Sequence, residues 1–96
     1  MAVRMELEFE STPEQYDAVE SVLDGRNNPP VGLIAHSAED LGNGKMRIVD
    51  IWESPDAFGA FAESRLGPAI GQALGDDAPP APEPTFIELH NAYKGA

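Results

Sequence analysis

The segment Asp50–Pro55, with the sequence DIWESP, marks the junction of a strand and a helix. The strand is predicted over Met46–Glu53, which is rich in β-branched and aromatic residues. Ser54 followed by Pro55 is a typical helix start, because Ser caps free N–H groups and proline loses no hydrogen bond at the first helical position. The helix that follows carries an apolar stripe formed by Phe58, Phe61, Ala62 and Leu66.

Upstream of this junction, the chain begins with a second strand–helix pair. Residues Val3–Phe9 alternate between apolar and charged side chains, which predicts a strand with one buried face. Thr12 and Gln15 fit a capping box, so a helix is predicted to start there, with Gly25 as its expected stop. Val31–Ala38 reads as a mostly apolar strand. It is followed by the turn residues Leu41–Gly44, which predicts a hairpin with the Met46–Glu53 strand.

The last third of the chain is predicted to close the fold. Gly67-Pro68 is expected to break the second helix, and Pro68 to start another short turn. Gly75–Pro84 holds four prolines and is expected to be a loop, either a plain connector or a lid over a pocket. Thr85–Tyr93 is predicted to be the final strand. The order β-α-β-β-α-β predicts an α+β, ferredoxin-like fold, with a four-stranded antiparallel sheet in strand order 4-1-3-2 and both helices on one face.

Composition limits the function classes. Residues 1–96 are expected to form one domain, since single domains commonly hold about 100–150 residues. The net charge of −11 argues against nucleic acid as a partner, because binding it needs basic side chains. No stretch is long and apolar enough for a membrane helix, and the absence of cysteine fits a cytoplasmic protein. Apolar residues on the sheet face away from the helices predict that a second copy covers it, giving a homodimer.

The DIWESP segment with Phe58 and Phe61 resembles the strand–helix junction of the dimeric α/β-barrel superfamily, which includes the antibiotic biosynthesis monooxygenase type. The helix start at Thr12–Tyr16, the segment Pro30–Leu33 and the closing His90-Asn91 are similar to small stand-alone members. The resemblance implies a homodimer whose two sheets form a barrel, with a pocket between each sheet and its own helices. Some relatives oxidise quinol-type polyketides with O₂ and without metal or flavin, so no cofactor is expected.

Haem degradation is a further activity found in this superfamily. Such relatives use an Asn on the first strand, a Trp on the third strand and a His on the second helix. Trp52 fits the second of these positions, but Val3–Phe9 contains no Asn and Pro55–Leu66 contains no His. Haem degradation by that route is therefore not expected.

Asp50 and Trp52 are the first candidate site residues. They are two residues apart on a strand, so both side chains point to the same face. If that face meets the helices, Asp50 is a carboxylate in apolar surroundings and a plausible base. Trp52 would be a flat wall for an aromatic ligand. The alternatives are that Arg47, Arg65 or the helix start holds Asp50, and that Trp52 only packs in the core.

Two histidines complete the set of candidate catalytic and binding groups. His36 is a candidate proton acceptor, and His90 a candidate ligand contact, because imidazole titrates near neutral pH. The strand order places them at opposite edges of the sheet, so they are not expected to pair, and no metal site is expected. Tyr16 and Phe58 are candidates for binding the substrate.

Three functions remain open from the sequence. The first is a cofactor-independent monooxygenase acting on a planar aromatic, quinol- or polyketide-like substrate. Its catalytic residues would be Asp50 and His36, and its binding residues Trp52, Tyr16, Phe58 and His90. The second is a non-catalytic protein that binds a small apolar or aromatic ligand. The third is a purely structural dimer with a filled interior.

Overall fold

The computed structural model describes residues 1–95; Ala96, the last residue of the predicted domain 1–96, lies outside them. The four strands form one antiparallel sheet in the order β2-β3-β1-β4, which confirms the predicted ferredoxin-like α+β fold and its strand order. The elements are β1 (Val3–Glu10), α1 (Pro13–Leu23), β2 (Leu33–Gly42), β3 (Lys45–Trp52), α2 (Pro55–Phe61), a π-helical turn (Ala62–Leu66), α3 (Gly67–Leu74), a 3₁₀ turn (Gly75–Asp77) and β4 (Thr85–Glu88).

The core lies between the sheet and the helices, where the alternation of β1 predicts it. Val3, Met5 and Leu7 are buried on the same face of β1. Trp52 of β3 completes this cluster and, with Met5, is only 1% exposed. The cluster is extended by partly buried side chains from β1, β2, β3, α2 and β4, namely Phe9, Leu33, Ile48, Ala57, Phe58, Phe61 and Phe86.

Both predicted helix starts are confirmed. Thr12 accepts from the backbone N–H of Gln15, and the Gln15 side chain accepts from the N–H of Thr12, which is a complete capping box. Ser54 accepts from the N–H of Ala57 at the start of α2. The predicted stop of α1 was one residue late. Asp24, with φ 51° and ψ 49°, takes the left-handed conformation expected of Gly25, since a short polar side chain tolerates it.

The predicted helix break at Gly67-Pro68 was wrong. Gly67 keeps right-handed helical angles, and α3 continues directly from the π-helical turn. The N–H of Gly67 bonds to the carbonyl of Ala62, five residues back. This wider turn precedes Pro68, which has no N–H and whose ring crowds the carbonyl four residues before it in a regular α-helix.

The final strand is shorter than the predicted Thr85–Tyr93. Its pairing with β1 runs from Thr85, opposite Glu6, to Glu88, opposite Val3. One more backbone bond joins the N–H of Leu89 to the carbonyl of Ala2. Beyond that point β1 has no further residue to pair with. The apolar pattern of the sequence therefore predicted a longer β4 than the structure contains.

The β2–β3 hairpin is confirmed, with a two-residue turn at Asn43-Gly44 that has positive φ at both positions. Its strand pairing contains an irregularity that the alternation did not predict. Leu33 pairs with Trp52 and Ala35 with Ile51, so Ile34 is an extra residue. A bulge of this kind shifts the alternation of side chains by one position.

The sheet face away from the helices carries a row of ion pairs. Arg47 lies between acids on both neighbouring strands, with its guanidinium 3.7 Å from Glu8 and 4.0 Å from Glu39. Glu6 lies 3.6 Å from Arg47 and 3.3 Å from Arg4. Arg4 and Arg47 offset the mutual repulsion of these acids.

Gly32 connects the start of β2 to the start of α2. Its carbonyl accepts from the N–H of Glu53 at 2.8 Å, and its φ is +88°. A Cβ at this position would lie 2.7 Å from the Cβ of Ala57. The close contact between this loop and the first turn of α2 therefore requires glycine. Within residues 1–95, no helix has the length and apolar character of a membrane span.

Gly32→Ala is expected to lower the free energy of unfolding by about 2–4 kcal/mol, through backbone strain at positive φ plus the clash with Ala57. Gly59→Ala is the matched control, because Gly59 is in α2 and nothing lies within 4 Å of an added Cβ. It is expected to stabilise by about 0.5–1 kcal/mol. Urea unfolding measures both. Equal effects of the two substitutions would contradict the required contact.

Candidate functional site

A buried carboxylate on β3 organises the candidate site. Asp50 is 5% exposed, and both of its oxygens accept hydrogen bonds. Oδ1 lies 2.7 Å from Nδ1 of His36, and Oδ2 accepts from the indole N–H of Trp52 at 3.1 Å. Buried carboxylates need such partners, because an unpaired charge in a core is strongly destabilising. The bond between Asp50 and Trp52 follows from the alternation of side chains along β3, which places residues two apart on the same face of the sheet, here the face covered by the helices.

His36 reaches Asp50 because of the bulge in β2. The register pairs His36 directly with Asp50, on the same face as Leu33 and Trp52. Without the extra residue Ile34, strict alternation would place Leu33 and His36 on opposite faces. The His36 side chain remains 34% exposed, so solvent reaches part of the ring.

Tyr16 extends this array to the helix layer. It lies in the first turn of α1, and its hydroxyl oxygen is 2.7 Å from Nε2 of His36. The planes of the two rings are almost parallel, at 6°, with centroids 6.4 Å apart. Because the hydroxyl itself meets Nε2, the rings lie end to end. In the neutral imidazole, Nδ1–H donates to Asp50 and Nε2 accepts from Tyr16.

Electrostatic effects and burial give His36 and Tyr16 different roles in the array. The hydrogen bond to Asp50 raises the pKa of His36 above its ordinary value, although partial burial opposes this. Burial, together with nearby Glu20, Asp50 and Asp17, raises the pKa of Tyr16 to about 12. Tyr16 is therefore a neutral donor throughout the physiological range, and His36 is the group that gains and loses a proton.

Two of the predicted aromatic binding residues, Trp52 and Phe58, lie in the core. Trp52 is 1% exposed, and Phe58 and Phe61 pack against it with ring centroids 5.5 Å and 5.6 Å away. Phe58 also contacts Phe86 across the core, at 6.1 Å. The expectation that Trp52 offers an open wall to a ligand does not fit this burial. Its contact with the site is the hydrogen bond to Asp50.

The remaining candidates lie elsewhere. His90 is exposed and follows β4, at the opposite edge of the sheet from His36. Neither Arg47 nor Arg65, the two arginines considered as partners for Asp50, bonds to its carboxylate. Arg47 is on the opposite face, and Arg65 donates to the carbonyls of Leu23 and Asn28.

Two clefts lie at the other end of β3, beside the loop predicted over Gly75–Pro84. One, of about 240 Å³, is lined by residues that include Thr12, Lys45 and Asp77. The other, of about 330 Å³, lies between Phe9, Lys45 and Pro80–Pro82. Neither is lined by the Asp50 array. Among residues 1–95, no group of three or more His, Cys, Asp or Glu side chains could hold a metal ion.

The fold is that of small α+β proteins of the ferredoxin-like class. No family model and no curated protein matches the chain. Solved structures do match. One is a protein from Chloroflexus aurantiacus assigned by name to the antibiotic biosynthesis monooxygenases, at 18% identity, 97% coverage of both chains and a TM-score of 0.66. Another is a protein of unknown function from Nitrosomonas europaea, at 20% identity, 99% coverage of this chain and 95% of the other, and a TM-score of 0.69.

A third is a single-site variant of SnoaB, a cofactor-independent oxygenase from Streptomyces nogalater, at 16% identity, 95% coverage of both chains and a TM-score of 0.63. These likenesses confirm the resemblance in fold to antibiotic biosynthesis monooxygenase-type proteins. At such identities they describe the fold alone.

His36 is expected to titrate above pH ~6.5 in the folded protein, and Asp50→Asn is expected to lower that pKa, because the main cause of the rise is the bond to Asp50. Proton NMR of the imidazole signals measures this, with His90→Gln to assign the two histidines. An unchanged His36 titration in Asp50→Asn would contradict the array.

The same shift has a consequence for stability. Protonation of His36 favours the folded state, so its contribution is fully present below the unfolded pKa and is lost as pH rises through the folded one. The stability lost in His36→Gln should therefore be larger near pH ~5.5 than near pH ~8.5. A loss that grows with pH would contradict this sign.

Proposed function

We propose that this protein is a cofactor-independent oxygenase of planar phenols or quinols, in which His36 removes the proton of a substrate hydroxyl. The single observation that supports this is the array from Asp50 through His36 to Tyr16, with two contacts of 2.7 Å. Asp50 orients the imidazole through Nδ1, so Nε2 becomes the proton acceptor once the substrate hydroxyl displaces the Tyr16 hydroxyl from it. The fold of SnoaB, itself an oxygenase without cofactor, agrees with the proposal.

Proton removal prepares the substrate for O₂. A phenolate is far richer in electrons than its phenol, so it can reduce O₂ without a metal or flavin. The overall change is that one phenol and one O₂ give one quinone and one water: the ring loses two hydrogens and gains one oxygen atom, and the second oxygen atom leaves as water. The imidazolium formed at His36 is stabilised by Asp50 and returns its proton to a leaving oxygen species.

Oxidation of 1,5-dihydroxynaphthalene to its hydroxynaphthoquinone tests the activity, followed by O₂ consumption and quinone absorbance. His36→Gln is expected to lower kcat by about 100-fold or more, because a positioned base contributes at least that factor. His90→Gln is the matched control and is expected to keep the wild-type rate. A chelator should have no effect.

The outcomes separate the functions left open by the sequence. Tight binding of the dihydroxynaphthalene without O₂ consumption would favour a binding protein. Neither binding nor turnover would favour a structural dimer. A full rate in His36→Gln would overturn the proposed role of the imidazole.

We also propose that residues 1–96 form one cytoplasmic domain that pairs with a second copy through the open sheet face. Ile87 is 51% exposed there, and the strand register places Ile51 and Ile87 on either side of Arg4. Nε of Arg47 is buried and has no hydrogen-bond partner among the described residues. Two isoleucines beside incompletely bonded charge are better matched by a complementary surface than by water.

Sedimentation equilibrium is expected to find a dimer at micromolar concentration. Ile87→Glu should raise its dissociation constant by about tenfold or more, since it places a charge in an apolar contact. Val31→Glu is the matched control, because Val31 is 91% exposed in the loop before β2. A monomeric wild-type protein would contradict the pairing.

A further inference from the structure

A proton acceptor on His36 and a proton donor on Tyr16 meet at the helix-layer end of the array. Nε2 of His36 is a proton acceptor whose orientation is fixed by Asp50. The Tyr16 hydroxyl, 2.7 Å away, is a neutral donor that stays protonated far above neutral pH. Oxygenation as proposed above uses the acceptor and leaves the donor without a task.

The spacing of the two groups matches one class of substrate. In a ketone with an acidic neighbouring C–H, the carbonyl oxygen and the α-carbon are separated by about the same short distance as the Tyr16 oxygen and Nε2. When the ketone binds, the Tyr16 O–H turns from Nε2 to the carbonyl oxygen, which frees Nε2 to face the C–H. A neutral phenol that donates to a developing oxyanion, with a separate base at the carbon, is an effective arrangement for forming an enol.

We propose that Tyr16 and His36 form an acid–base pair that interconverts keto and enol forms of a planar aromatic ketone, in a step that needs no O₂. This inference rests on the same site as the proposed oxygenase. It assigns the site a proton-transfer half-reaction of its own, with Tyr16 as a catalytic residue.

The keto–enol conversion is balanced without any further reactant. The C–H bond breaks and its proton goes to Nε2 of His36, while the electron pair forms the C=C bond and charge moves to the carbonyl oxygen. Tyr16 transfers its proton to that oxygen, which completes the enol. The tyrosinate recovers a proton from the imidazolium across the 2.7 Å contact. The protein is unchanged, and one proton has moved from carbon to oxygen.

Hydrogen–deuterium exchange at the acidic CH₂ group of β-tetralone, followed by NMR in D₂O under argon, tests this pair. Wild-type protein is expected to accelerate the exchange over buffer, and His36→Gln to return it to the buffer rate. Tyr16→Phe keeps the ring and removes only the hydroxyl, so the rate should fall about 10- to 100-fold. Tyr93→Phe is the matched control, because Tyr93 is 82% exposed outside the site, and should leave the rate unchanged.

Exchange at the buffer rate with folded wild-type protein would overturn the inference. A full wild-type rate in Tyr16→Phe would also overturn it, since His36 would then act alone. Accelerated exchange without O₂ consumption from the dihydroxynaphthalene would support the pair and count against the oxygenase. Oxygenation without accelerated exchange would do the reverse. Circular dichroism checks that each variant is folded.

Discussion

The hydrogen bonds of the Asp50 carboxylate are the constraint on which the site depends. A carboxylate that is 5% exposed inside a thin apolar core needs a donor at each oxygen. Trp52 supplies one from the same strand and His36 the other from the neighbouring strand. The buried carboxylate therefore fixes both the orientation of Trp52 in the core and the tautomer of His36, which is partly exposed. Tyr16 is then held by the nitrogen that remains.

Much of the fold could be predicted from local patterns, because local energetics decide it. The alternation of β1, the two helix caps and the Asn43-Gly44 turn each specify one element whatever surrounds them. The wrong predictions concern elements whose limits depend on contacts with other parts of the chain. The end of β4 depends on where β1 begins, and the continuous helix through Pro68 depends on a π-helical turn whose sequence signal was read as a break.

The candidate site was predictable in its members but not in its connections. Period 2 was sufficient to place Asp50 beside Trp52, and both face the helices. The direction of His36 depends on one unpaired residue, Ile34, which has no turn-forming character that could reveal it. Tyr16 belongs to an apolar stripe of α1 and resembles a packing residue from the sequence. Only the packing of that helix against the sheet brings its hydroxyl to the imidazole. Arg65 of the π-helical turn donates to the carbonyl of Leu23, the last residue of α1, and so helps to set where that helix lies.

The bulge at Ile34 makes the hydrogen-bond array sensitive to the number of residues in β2 as well as to their identity. A one-codon deletion between Gly32 and His36 would leave every side chain of the array encoded and would still turn the imidazole toward the charged side of the sheet. Homologous chains that lack this residue would share the same histidine in an alignment and still have no array. The array would then be lost or gained through a change in length, with no substitution at Asp50, His36 or Tyr16.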